Sequence, residues 1–476
     1  MRTPSHAQLQ LSTGVFPLVP SDLRAVACKT ARHTSFEVYH GSPPRTTQCG
    51  KLANLTMLRG LSYNRRSCEA GKESSSKRKT MHILFVTPVV PSPSYGRRPY
   101  NFIRFLCEEH QVYLACFATH ERNDLPALRQ LAEWGAVVRT AKQPRGLGPL
   151  NCALGLYRRE PLRALWIRSA ALEKTIRFFL EQYPIDVAHF DRMRMGHFAL
   201  PIQQIPRVVD FTDALTLYLD RTRTRYRSPA GRLIDAWERW TIPAYEAKLL
   251  AEVDAGLCCS PIDQQVFHRN HPGTRVEMIY NSVDCEHFRP RDRQNGTPPR
   301  LVFTGTFSYF PNIDSLFYFI ETIWPIVQKR LPEVKLDIIG ARPPRRVSAL
   351  GALPGIRVIP DVPDMAEYLF QDDLFICPLR VASGVRNKVL EAMASGMTVV
   401  SSTIGVEGLQ VEPGRHYLKA DDREEFAHRI EQALESKAFR QALGANARQY
   451  AQQHHSGPAA GQSLLHLFER VIQSRR

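Results

Sequence analysis

The chain has 476 residues, of which 43% are apolar and 23% charged, with 34 Pro and 27 Gly, a balance that excludes a wholly disordered chain, a collagen and a coiled coil. The net charge is +17, but residues 1–80 carry +9 of it, so the basic excess belongs mostly to the tail and does not mark the body as a nucleic-acid binder. No run approaches the roughly 18 apolar residues of a spanning helix, and residues 1–30 lack the basic start, apolar core and small-residue cleavage site of a secretory signal. A cytoplasmic protein of two domains is expected. Ten scattered cysteines without a CxxC pair fit reduced, buried thiols better than disulfides or zinc.

Residues 1–80 show no sustained period of 2 or 3.6 and cannot bury enough apolar surface to offset their ordering entropy, which predicts a disordered extension. Three origins stand for it: a start placed ahead of the real one at Met81, a transit-like Arg-rich segment, or an arm that meets nucleic acid or membrane. From Met81 onward, short β-branched runs alternate with amphipathic segments. Strands are predicted at His82–Thr87, Val112–Phe117, Ala136–Thr140, Asp186–Phe190, Arg207–Phe211, Ala255–Cys259 and Val276–Tyr280. After the turn-rich stretch Pro290–Arg300 the series resumes at Arg300–Thr304, Val334–Ile339, Ile356–Ile359, Leu374–Cys377 and Thr398–Ser401. Wholly apolar strands separated by helices imply parallel sheets covered on both faces. The fold class is therefore α/β: two doubly wound, Rossmann-like domains, 81–290 and 291–457, facing a central cleft. Ligands are expected at the carboxyl ends of the strands. Helices are predicted at Glu424–Glu435 and Ala438–Gln453; Gly457-Pro458 breaks the pattern, and residues 458–476 hold a last helix, Gln462–Ile472, placed to cross back to the first domain.

The segment Pro378–Val400 is the densest in chemistry. A strand ends at Pro378, a Ser-Gly turn follows, and a helix runs from about Arg386 to Ser395. The amides of Ser383, Gly384, Val385 and Arg386 then face the cleft at a helix start, where the dipole favours phosphate. Arg386 and Lys388 set two cations where the dipole disfavours them unless an anion lies between. The plainer alternative is a solvated helix start whose cations pair with Asp372 or Asp373. Glu391, three residues past Lys388, reads either as its i,i+3 partner or as a ligand-binding carboxylate.

This segment, together with Phe303–Asn312, Leu336–Gly340, Ile279–Asp284 and Gly405–Leu409, resembles the retaining GT-B glycosyltransferases of family 4, the group 1 glycosyltransferases, and most closely those of bacterial exopolysaccharide clusters. The resemblance implies transfer of a hexose-type sugar from a nucleotide-diphosphate sugar to an acceptor hydroxyl with retention. It implies a donor-binding second domain, an acceptor-binding first domain and no metal or other cofactor. By position, Glu391 matches the glutamate that binds the nucleotide ribose, Gly305 the glycine beside the diphosphate, and Gly96 the glycine of the first loop against the donor. Asn281 matches the asparagine of an acceptor-side motif. Departures from the pattern are equally specific. Ser383 stands where relatives often carry a second glutamate, Arg386 replaces a glycine, Thr304–Asn312 has no cation, and Asp210 and Asp213 stand near where many relatives place a histidine. Arg386 and Lys388 are expected to take over the phosphate charge as catalytic cations, with Asp210 or Asp213 positioning sugar or acceptor hydroxyls.

The implied partners are a nucleotide sugar and a saccharide or lipid-linked acceptor, with peripheral contact to anionic lipid at the inner face of the cell membrane and no specific nucleic acid. Arg221, Arg223, Arg225 and Arg227 read as a solvated loop, or as a patch for anionic lipid or RNA. His189 and His197 lack a third ligand at metal spacing and are expected to be structural. Trp237, Trp240 and Tyr245 read as core rather than as a sugar platform. Two rival functions share the architecture: a nucleotide-sugar 2-epimerase, which needs no acceptor, and a non-catalytic sugar-nucleotide-binding relic.

Overall fold

The computed structural model describes residues 80–475 except 94, 119–120, 143–145, 223–228 and 294–298, so the basic extension and Arg223–Arg227 lie outside the described residues. In the first half the elements run β1 (His82–Thr87), α1 (Arg97–Leu106), β2 (Gln111–Ala118), α2 (Glu121–Glu133), β3 (Val137–Lys142), α3 (Leu147–Gly155), α4 (Leu162–Trp166) and α5 (Ala170–Gln182). They continue with β4 (Val187–Asp191), β5 (Arg207–Thr212), α6 (Leu215–Thr222), α7 (Pro229–Glu252), β6 (Ala255–Cys258), α8 (Pro261–Asn270) and β7 (Val276–Met278). The second half holds β8 (Arg300–Thr304), α9 (Phe310–Tyr318), α10 (Trp324–Arg330), β9 (Lys335–Gly340), α11 (Arg345–Ser348), β10 (Ile356–Pro360) and β11 (Leu374–Cys377). It closes with α12 (Asn387–Ala394), β12 (Thr398–Ser401), α13 (Thr403–Val406), β13 (Leu418–Lys419), α14 (Arg423–Glu435), α15 (Lys437–His454) and α16 (Gly457–Gln473).

Every ladder is parallel. The sheets read β3-β2-β1-β4-β5-β6-β7 and β10-β9-β8-β11-β12-β13. In each, chain order reverses beside the first strand, between β1 and β4 and between β8 and β11, which opens a crevice at the carboxyl ends there. The central strands are buried on both faces because their side chains are apolar on both, while the edge strands β3 and β10 are partly exposed, and each sheet separates two hydrophobic clusters.

The last helix differs from its sequence reading. The break between α15 and α16 is where Gly457-Pro458 placed it, but the pair itself forms the first turn of α16, which starts ahead of the expected Gln462, since proline is tolerated in a first turn. Leu464, Leu467, Phe468 and Val471 pack on β1 and α1 of the first half, each side chain stabilising by roughly 1.5–3 kcal/mol before ordering costs. The close approach requires Gly461, where a Cβ would collide with the Phe105 ring. Trp240 also departs from expectation: Tyr245 is core, but Trp240 is 56% exposed.

Candidate active-site cleft

Four loops meet where the two crevices face each other. Behind β1, Gly96 takes φ 62° and ψ 40° and caps α1, whose first turn holds Arg97 and Arg98 and no acid. Behind β4, Arg192 has φ 73° and ψ 145°. Behind β5, the β-branched Thr212 has φ 66°. Such backbones cost of order 1–3 kcal/mol each and persist only when neighbours hold them. At Thr212 the holder is visible: the Asp210 carboxylate accepts the Thr212 amide at 2.9 Å and the Arg98 Nε–H at 2.5 Å. The resulting bulge turns Asp213 out of the sheet and toward Gly384 of the second half, where a Cβ would collide with the Asp213 carboxylate.

Two residues expected at the substrate therefore sit elsewhere. Asp210 is fully buried and committed to Arg98 and the Thr212 turn, so it positions Asp213 and reaches no hydroxyl itself. Asn281 is 5% exposed; its side chain accepts from Arg98 at 3.0 Å and its carbonyl meets His455 Nδ1 at 2.8 Å, which makes it a strut below the cleft and not an acceptor contact. One residue accounts for both placements. Arg98 reaches inward from α1, and local sequence does not show which carboxylate a distant arginine will take.

In the second half, Gly305 follows β8, and Gly340 at the end of β9 packs so closely on the Gly305 carbonyl that a side chain there is excluded. The Lys388 ammonium reaches this loop, donating to the Thr304 carbonyl at 3.2 Å and Asn312 Oδ1 at 3.0 Å, 4.7 Å from the centre of the Phe303 ring. Burial lowers its pKa from the ordinary lysine value. The segment Thr304–Asn312, which lacks a cation of its own, thus has one delivered by α12. Arg386 is placed differently from expectation. It precedes α12 as its cap residue and donates to the carbonyls of Ser383, at 3.3 Å, and Glu407, at 2.5 Å, tying the Ser383-Gly384-Val385 turn to the next loop. Gly384 has φ 68°.

Glu391 does not pair with Lys388. Its carboxylate, 7% exposed, pairs with Arg97 across the cleft. The alternative partners for the α12 cations are engaged elsewhere: Asp373 takes Arg293 and Asp372 lies 3.6 Å from Lys437. Arg221 likewise leaves its expected solvated loop, donating to Glu407 Oε1 and the Ala382 carbonyl, both at 2.8 Å. Two ring contacts add to the closure, with Tyr218 stacked on Tyr309 at 6.2 Å and the Arg342 guanidinium 5.4 Å from the Tyr95 ring. Arg97 and Arg98 were missed from sequence, and Arg221 was singled out only as part of a loop or surface patch. The first two carry the same signal as Arg386 and Lys388, cations in a first helical turn behind a glycine.

The titratable groups at the rear of the cleft are shifted by burial. The Asp191 carboxyl is pushed up to about 6 and the His189 ring down to about 4. His189 is fully buried against Phe85 and His197 meets the Arg194 carbonyl at 3.0 Å, so neither presents itself as a metal ligand pair. Asp213, Cys259 and Asp263 bring ligand-type atoms within 4.8 Å of one another. Their chemistry suits a metal poorly: burial raises the Cys259 thiol well above its ordinary value, and Asp263 is taken by Ser260 and the Ala214 amide.

Residues 298–436 match the family model described as glycosyl transferases group 1. An uncharacterized 44.6 kDa protein in the cps region of Klebsiella pneumoniae is 28% identical over 138 residues, 27% of this chain and 36% of that protein. Spore coat protein SA of Bacillus subtilis is 21% identical over 227 residues, 41% of this chain and 59% of that protein. The chain thus spans less than two thirds of either relative's length. Among solved structures, sucrose-phosphate synthase of Thermosynechococcus elongatus superposes with a TM-score of 0.61 at 15% identity, covering 83% of this chain and 100% of that one. HepE of Anabaena in complex with UDP-glucose superposes with 0.58 at 14%, covering 82% and 100%. At these identities the likeness is one of fold.

Proposed function

Starting from a chain that has the GT-B fold and carries a group 1 glycosyltransferase domain at residues 298–436, we propose that it transfers a sugar from a nucleotide-diphosphate sugar to an acceptor hydroxyl, with retention and without a metal. The observation that carries this reading is the layout of α12. Lys388 reaches the glycine loop behind β8, while Glu391, one turn further on, faces the α1 start of the other half. A diphosphate at the Ser383–Val385 turn would meet backbone amides at a helix start and the Lys388 ammonium. A ribose diol would meet the Glu391 carboxylate, which accepts two hydroxyl donors once Arg97 yields.

In the step itself the bond between the sugar's anomeric carbon and the diphosphate oxygen breaks, and the acceptor oxygen bonds to the same face of that carbon. The acceptor proton passes to the departing phosphate. Charge grows on the phosphate oxygens, where Lys388 and the turn amides stabilise it more than in the ground state. Asp213, turned into the cleft opposite Gly384, is the carboxylate placed to orient sugar or acceptor hydroxyls. A UDP-glucose complex of a protein of the same fold and a relative from a cps region support a nucleotide-sugar donor and a role in surface polysaccharide synthesis.

A thermal-shift screen of UDP, GDP, ADP and dTDP sugars tests the donor. Ligand at 100 times its dissociation constant stabilises by about 2.7 kcal/mol. Loss of the donor sugar only when an acceptor is added supports transfer, whereas isomerisation of the sugar by enzyme and nucleotide sugar alone identifies the 2-epimerase.

A further inference from the structure

A cavity of about 190 Å³ lies outside the cleft, in the second half, between the loop 410–416 and the end of α15. Its floor is made by His416 and Tyr450, 8% and 6% exposed, and its rim is polar throughout. The loop is folded on itself. Gly414, at φ 79°, lets the chain turn, its amide donates to the Tyr417 carbonyl at 2.8 Å, and the His416 amide donates to the Glu412 carbonyl at 3.0 Å. Across from the loop, α15 supplies Asn446, Gln449 and Gln453 from one face, because spacings of three and four residues bring side chains into line. Tyr450 of the same face lies against the rings of His416, at 5.3 Å, and His454, at 4.9 Å, and its hydroxyl accepts the Gln410 amide at 2.8 Å. The walls are thus preformed, and a ligand would not have to order them.

His416 is the group that points to a ligand. Its Nδ1 accepts the Glu412 amide at 3.0 Å, so the proton of the neutral ring sits on Nε2. Burial first, and the nearby Arg415 next, lower its pKa from the ordinary histidine value, so the ring is neutral at pH 7. The Nε2–H belongs to a buried side chain, opens on the cavity and donates to no described residue. A buried donor normally has a partner, and here the partner has to come from within the cavity.

The rim fixes the class of that partner. Glu412 and Arg415 pair with each other at 3.4 Å, which leaves no surplus cation for a phosphate or a carboxylate. The carboxamides of Gln410, Asn446, Gln449 and Gln453 bond to no described residue, and each offers donors and an acceptor together. Adjacent hydroxyls of a sugar need both and meet a carboxamide in pairs. The His454 ring and the edge of Tyr450 give the C–H face of a sugar ring a surface to rest on. The volume lies below the roughly 300–1,000 Å³ of sites for drug-sized ligands, which suits one sugar ring and not a whole nucleotide sugar.

We propose that this cavity is a saccharide-binding site separate from the cleft. One neutral sugar ring accepts the His416 Nε2–H and pairs its hydroxyls with the carboxamides of Asn446, Gln449 and Gln453. The inference stands apart from the sugar-transfer reading, since no residue of the cavity belongs to the cleft.

Saturation-transfer NMR of the full chain with the methyl glycosides of glucose, galactose, mannose and N-acetylglucosamine tests it. At least one glycoside should take up saturation, and in a histidine-labelled sample the His416 imidazole signals should shift as it is added. Gln449→Ala/Gln453→Ala, two exposed positions, should weaken that glycoside at least about tenfold at an unchanged melting temperature. Asp213→Asn, in the cleft, should bind it as the wild type does. No saturation of any glycoside, or saturation without a shift at His416, would overturn the proposal. So would binding that survives the double change, or binding lost in Asp213→Asn alone, which puts the sugar in the cleft.

Discussion

Arg97, at the start of α1, and Glu391, in the middle of α12, form an ion pair across the cleft although they lie 294 residues apart in sequence. The carboxylate proposed for the ribose diol is therefore held by the opposite half while the donor is absent. Binding has to exchange one partner of Glu391 for another. Burial lowers the Arg97 pKa to about 10, so the guanidinium remains charged at neutral pH and the competition is a real one.

Glu391→Gln keeps the size of the side chain but weakens charge-assisted bonds worth roughly 1.5–3 kcal/mol each. Donor affinity should fall at least about tenfold. Arg97→Gln should act in the opposite direction on nucleoside binding, because it frees the carboxylate. Calorimetry with UDP and uridine on both variants checks this; a folded Glu391→Gln protein that binds UDP normally would leave Glu391 as a domain clamp only.

Lys388 and Arg386 should separate. Lys388→Met is expected to weaken UDP about ten- to a hundredfold while leaving uridine nearly unchanged, since only phosphate meets the ammonium. Its lowered pKa means that UDP affinity should start to fall, as pH rises, earlier than for an ordinary lysine. Arg386→Ala should cost stability as well as affinity, because its guanidinium ties the Ser383 and Glu407 carbonyls together. Melting curves alongside calorimetry distinguish the two; an equal loss for UDP and uridine in Lys388→Met argues against a phosphate role.

Removing one partner of the buried Arg98–Asp210 pair leaves an uncompensated charge, so Arg98→Ala or Asp210→Ala should each lose about 3–5 kcal/mol of stability. The double change Arg98→Met/Asp210→Leu should lose far less than the sum. Urea unfolding of the three variants reads this directly. Additive losses would show that the two side chains act independently.

His455 is buried, with its pKa lowered to about 4, bonded to the Asn281 carbonyl and facing the Tyr450 hydroxyl. The folded chain keeps this ring neutral while the unfolded chain takes up a proton below about pH 6.5. Its contribution is complete above that pH and is lost as pH falls toward about 4, with a slope of up to about 1.4 kcal/mol per pH unit. Asp191 and Asp263, raised to about 6, act in the other direction, since protonation relieves their buried charge. They are unchanged in His455→Gln, so the difference between wild type and variant isolates the histidine. Stability measured from pH 7 to pH 4 should fall less steeply in the variant; parallel curves would rule His455 out.

The sequence alone determined the sheets. All twelve expected strands form, because runs such as His82–Thr87 and Leu374–Cys377 are apolar on both faces and fit only a covered parallel sheet. Among the described residues, the two-residue β13 alone gave too short a pattern to be found. Local rules also located Gly305, the Ser383–Val385 turn and the helix bearing Lys388 and Glu391, since turn, cap and i,i+3 spacing are properties of neighbouring residues. Tertiary structure alone decided which charge meets which. Asp210 is a buried partner of Arg98, 112 residues away, because α1 packs beside β5 within the first half, and Glu391 belongs to Arg97 and Arg221 to Glu407 because docking of the two halves selects contacts 294 and 186 residues apart. The same holds for Trp240 and Leu233. Helical spacing marks an apolar stripe, but whether the stripe is covered depends on what packs against it, and among the described residues Leu154 of α3 and Leu233 and Trp240 of α7 stay more than half exposed.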